Sequence, residues 1–130
     1  MRKLGRGVAH GGTYNGNPVG TAAGLATMER LTPDVYARLN GLGERIRVGL
    51  DDLFERTGAP ASVTGIGSPF NIHHTGGDPR YLPELGLGLM TEGYWIAPRG
   101  MGCTSEPMTE ETVDGFLQAT ERVVKHLESV

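Results

Sequence analysis

HGGTYNGNPVG, residues 10–20, packs four glycines, two asparagines and a proline around Thr13 and Tyr14, and runs directly into the alanine-rich TAAGLATMERL of residues 21–31. Asn17 is a good N-cap, because its short side chain can accept from the free amides of a first helical turn, and Pro18 suits the next position, where a missing N–H costs nothing. The stretch predicts a loop feeding a helix of about three turns, with Ala22, Ala23 and Ala26 on one side and Leu25, Met28 and Leu31 on another. Gly11 and Gly12 let backbone N–H groups turn toward one point, Thr13 adds a hydroxyl donor, and the helix N-terminus adds positive potential. Such a loop can hold a phosphate. It is neither a Walker A loop nor a dinucleotide fingerprint, since no G-x-x-x-x-G-K-[ST] is present and no strand precedes it. On these residues alone, a glycine-rich lead-in with an Asn cap is the simpler reading.

Outward from this stretch, 130 residues suffice for one ordinary domain and one core. A net charge of −3 leaves no basic surface that would neutralise several phosphates, which argues against nucleic acid as a partner. Cys103 is the only cysteine and cannot form an internal disulfide; no apolar run reaches membrane-spanning length, and the start lacks the apolar core of a signal peptide. The expected compartment is the cytoplasm, with no membrane partner. Glycine, 21 residues, is well above the roughly 7% that is usual, and the glycines sit between periodic segments as turn and close-approach residues.

Thr32-Pro33-Asp34 ends the first helix and starts a second. Val35, Leu39, Leu42, Ile46, Leu50, Leu53 and Phe54 recur there at spacings of three and four, opposite a charged face. Gly41, Gly43 and Gly49 each weaken that helix by roughly 1 kcal/mol relative to alanine, so tertiary packing must hold it. SVTGIGSPFNIHHT, residues 62–75, reads as a strand with a bulge or bend at its glycines, GGDPR as a turn, and YLPELGLGLMTEG as a weak helix capped by Gly93. YWIAP and GCTS read as two short strands flanking a bend at Arg99-Gly100. Thr109 caps a final helix with Glu110 and Glu111 at its positive end, Lys125 and His126 at its negative end, and an apolar face of Val113, Phe116, Leu117, Val123, Val124 and Leu127. The order predicts an α+β unit, helices packed on one face of a small, mainly antiparallel sheet.

HGGTYNGNPVGTAAGLATMERL (residues 10–31) resembles the segment that crosses from the large to the small domain in class III pyridoxal-phosphate aminotransferases, most closely the branch similar to glutamate-1-semialdehyde 2,1-aminomutase. YWIAPRGMGCTSEPMTEETVDGFLQA (residues 94–119) resembles the end of the same proteins. The resemblance implies the C-terminal small domain of a fold-type I pyridoxal 5'-phosphate enzyme, with residues 1–32 as crossing loop and interdomain helix and residues 33–130 as the small domain. It implies a homodimer in which Thr13 hydrogen-bonds the cofactor phosphate of the neighbouring subunit and Gly12 makes a secondary contact. It implies amino transfer through a Schiff base, on a small amino-acid or amino-ketone substrate. The family's lysine lies a few tens of residues before the G-T-x-x-G-N-P pattern. The lysines here are Lys3 and Lys125, so the chain is expected to lack the Schiff-base lysine, to carry no catalytic residue of its own, to be a fragment of a longer protein, and to be inactive alone. The R-G-M-G after A-P tilts the reading toward an aminotransferase over an aminomutase.

Arg99 follows a proline in a strand-end turn, where it is either a bidentate partner of a substrate carboxylate or an ordinary surface ion pair. His73 and His74 are adjacent, so on a strand they face opposite ways and cannot share a metal; no zinc spacing is present, and no metal site is expected. His10 is a loop histidine near the proposed phosphate, Tyr14 an interface aromatic, and Cys103 a residue buried in an apolar strand. The alternative from another functional class is a non-catalytic α+β protein-interaction module that binds through apolar faces.

Overall fold

The computed structural model describes residues 11–129. The chain divides into two compact units, Met1–Pro33 and Asp34–Val130.

The first unit contains α1 (Pro18–Arg30). Its start follows the local chemistry: Asn17 Oδ1 accepts from the amides of Val19 at 3.0 Å and Gly20 at 3.2 Å, and Pro18 takes the first helical position. None of its residues is buried; Val19, Leu25 and Met28 stand exposed.

The second unit holds α2 (Pro33–Thr57), β1 (Ala61–Gly65), β2 (Pro69–His74), α3 (Tyr81–Thr91), β3 (Met101–Cys103) and α4 (Glu110–Leu127). The apolar stripe of α2 is buried from Leu39 to Phe54, as its spacing predicts, and only Val35 at its start is half-buried. The three strands form one sheet in the order β1-β2-β3, antiparallel throughout. Phe70 and Ile72 of β2 turn inward, where they meet Ile46, Leu50 and Leu53 of α2, Leu85 and Leu89 of α3, and Val113, Phe116 and Val124 of α4. Leu50, Ile72, Leu85 and Leu89 are completely shielded from solvent, and each side chain so buried contributes about 1.5–3 kcal/mol of transfer free energy.

Gly43 shows why α2 accepts glycine: a Cβ there would lie 2.2 Å from the carbonyl oxygen of Gly67. The helix lies against the β1–β2 turn at backbone distance, and the propensity lost at that position is the condition of the contact.

Three expectations are corrected. Residues 62–75 are two strands, because Ile66-Gly67-Ser68 reverses the chain between β1 and β2, with Gly67 at φ +64°. YWIAP is not a strand. Tyr94 N bonds back to Leu89 O at the end of α3, and Ala97 N reaches Met101 O, so the segment is tied at both ends without a ladder. GCTS is strand only in part, since β3 ends at Cys103. The expected weak helix forms over Tyr81–Thr91, followed by Gly93 in the left-handed region at φ +87°. Thr109 caps α4 reciprocally, its Oγ1 accepting from Thr112 N and its N–H donating to Thr112 Oγ1, both at 3.3 Å.

Candidate functional site

The loop before α1 is a tight turn. Asn15 N donates to Gly12 O at 3.0 Å, Asn17 N donates to Tyr14 O at 3.1 Å, and Gly16 sits at φ +74°. These bonds occupy carbonyl oxygens. Thr13 is exposed at the head of the turn, and its hydroxyl has no hydrogen-bond partner among the described residues. Asn17 Oδ1 is committed to the α1 cap, and the Thr13 hydroxyl is a free donor beside the glycines. Tyr14 is 82% exposed, and His10 lies outside the described residues.

Arg99, in the second unit, rides a turn fixed at both ends. Gly100 N donates to Ala97 O at 2.8 Å, and Ala97 N donates to Met101 O at 2.8 Å. Gly100 stands at φ +83°, while Arg99 has no positive φ, which excludes a type II turn and fits a tight hairpin closed by a left-handed glycine. Gly100 O in turn accepts from Ile72 N at 2.9 Å, and a Cβ at position 100 would lie 2.1 Å from Ile72 O. The backbone under Arg99 is therefore pinned to the centre of the sheet, while its side chain is exposed.

The other described arginines are engaged. Arg45 pairs with Asp114, Arg56 with Glu121, Arg80 with Asp78 and Arg122 with Glu92; Arg47 holds Glu44 and the carbonyl of Gly67, and Arg38 donates to the carbonyls of Glu106 and Met108. Arg30 also has a partner. Among the described residues, Arg99 is the arginine whose guanidinium makes neither an ion pair nor a hydrogen bond. A fixed stem with an unclaimed planar cation is suited to bidentate capture of a carboxylate.

The segment after the turn is also anchored. Thr104, a buried polar residue, donates from Oγ1 to Leu39 O at 3.0 Å and lies 2.7 Å from Ser68 Oγ. This network escaped the reading of the sequence, since Ser68 and Thr104 are 36 residues apart and neither stands in a recognisable pattern.

His73 and His74 do face opposite ways. His73 is exposed and within 2.6 Å of Thr64 Oγ1, while His74 stacks over Tyr81 with ring centroids 6.1 Å apart. Cys103 is exposed, which corrects the expectation of a buried thiol. The register gives the reason: Phe70 and Gly102 form the pair that faces the core, so Met101 and Cys103 on either side of Gly102 turn to the outer face of the sheet. No cluster of three or more His, Cys, Asp or Glu able to hold a metal occurs among the described residues, and no described helix is long and apolar enough to cross a membrane.

No protein-family model matches the chain. Individual proteins do. The β-phenylalanine transaminase of Variovorax paradoxus is 33% identical over 124 residues, 86% of this chain and 29% of that protein. A glutamate-1-semialdehyde 2,1-aminomutase of Methanothermobacter thermautotrophicus is 31% identical over 135 residues, 94% of this chain and 32% of that protein. A solved transaminase with pyridoxal phosphate bound superposes with a TM-score of 0.85 at 29% identity, over 94% of this chain and 30% of that one. The chain belongs to the class III pyridoxal-phosphate aminotransferases.

It spans about 30% of the length of the relatives it matches, their C-terminal part. The α+β architecture of this aminotransferase segment, with its antiparallel sheet, is the one that the resemblance implies. Both loops described above, 11–17 and 97–100, belong to the two stretches that carry that resemblance.

Proposed function

We propose that this chain is the cofactor-touching C-terminal part of a pyridoxal 5'-phosphate-dependent aminotransferase that works as a cytoplasmic homodimer. The observation that carries the reading is Thr13: an exposed hydroxyl without a partner among the described residues, raised on a glycine turn at the foot of α1. The fit to a phosphate is that of an accessory contact. Residues 11–17 offer the hydroxyls of Thr13 and Tyr14 but no cationic side chain, so the main hold on the phosphate comes from elsewhere in the dimer. Thr13 donates to the phosphate held mainly by the partner subunit, and Gly12 lets the backbone come close.

When bound, the cofactor supplies the electron sink for amino transfer. Arg99 receives the carboxylate of a small amino-acid substrate, and its turn fixes where that carboxylate sits. The lysine that carries the cofactor is supplied from outside this chain, because Lys125 is paired with Glu121 on α4 and Lys3 is too close in sequence to Thr13. The lone chain is inactive. R-G-M-G at residues 99–102 favours an aminotransferase over an aminomutase.

A chimera tests this. In the Variovorax transaminase, the matched segment is replaced by this chain, and cofactor retention and β-phenylalanine turnover are measured. The chimera is expected to hold the cofactor. Thr13→Ala is expected to weaken that hold, and Arg99→Ala to raise KM about 10- to 100-fold, the range for losing a charge-assisted bond of roughly 1.5–3 kcal/mol. A folded chimera whose cofactor affinity ignores position 13 and whose KM ignores position 99 overturns the assignment. Separately, the isolated chain treated with pyridoxal phosphate and borohydride is expected to show no stoichiometric adduct at either lysine.

A further inference from the structure

We draw no further inference here: the strongest candidate, the apolar cleft of about 290 Å3 between the 93–103 segment and α4 that Trp95, Cys103, Met108 and Phe116 help to line, is an open face, and nothing in the structure shows what covers it.

Discussion

Arg45 of α2 grips Asp114 of α4 through two parallel hydrogen bonds, Nε to Oδ1 at 2.8 Å and Nη2 to Oδ2 at 2.9 Å. The pair holds the Asp114 carboxyl below its ordinary range and raises the guanidinium, in each case chiefly through that hydrogen bond. Both side chains remain about half exposed, so the attraction is screened by water and salt. Asp114→Asn is expected to lower the melting temperature at low ionic strength, by less than a core truncation does, and the difference is expected to shrink in concentrated salt. Thermal melts at two salt concentrations check both statements.

Leu85 and Leu25 are the same residue in opposite surroundings. Leu85 is fully buried between α3 and the rest of the core, whereas Leu25 on α1 is 62% exposed. Leu85→Ala is expected to cost about 2–5 kcal/mol, the transfer term plus the cavity left behind. Leu25→Ala is expected to stay within about 0.5 kcal/mol. Urea denaturation of the two variants measures the contrast directly.

Acid acts in part through Glu121. Arg56, and then Lys125, hydrogen-bond its carboxylate and hold its pKa at about 2, against 4.5 in the absence of partners. The folded chain thus binds this proton more weakly than the unfolded chain. The stabilisation is fully present above pH 4.5 and drains away as pH falls through about 2. Asp78, held at about 2 by hydrogen bonds from Arg80, follows the same sign. Glu121→Gln is expected to flatten the loss of stability between pH 4.5 and 2, measured as denaturation midpoints across that interval.

Gly100→Ala meets two obstacles at once, a φ of +83° and the carbonyl of Ile72 in the space a methyl group would need. A cost of about 1–3 kcal/mol is expected, with the Ile72 amide losing protection from hydrogen exchange as the Gly100 O bond loosens. Gly86, at ordinary φ with open space around its Cβ position, is the control: Gly86→Ala is expected to be neutral or stabilising.

Cys103, exposed on β3, is expected to react with iodoacetamide in the native chain at a rate close to that in denaturant. Strong protection in the native state would place the thiol inside and contradict the strand register.

Helices and their caps were legible because their signals are local. Asn17-Pro18 and Thr109 announce α1 and α4 within four residues, and the three-and-four spacing of α2 survives three glycines. What the sequence hid is pairing at a distance. Nothing in TGIGSPF says that Gly67 reverses the chain, since a bulge and a turn draw on the same residues. YWIAP has the composition of a strand and lacks only a partner, a fact that lives in the ladder. Cys103 followed from the same gap, because which face a strand residue takes is set by its register, and the register was not readable. Of the two proposed contacts, Thr13 comes from the family resemblance of its loop and Arg99 from its place in a strand-end turn. That Arg99 makes no ion pair or hydrogen bond among the described residues, and that Gly100 ties its turn to β2, emerges only from the fold.

The link from Gly100 to Ile72 couples an exposed cation of the second unit to a fully buried residue of β2. Ile72 N–H donates to Gly100 O, so a change in hydrocarbon packing around Ile72 would shift the Gly100 peptide and with it the adjoining backbone that carries Arg99. Under the role proposed for Arg99, its hold on an acid need not be tuned at Arg99 itself: residues that never meet the substrate act on it through the turn.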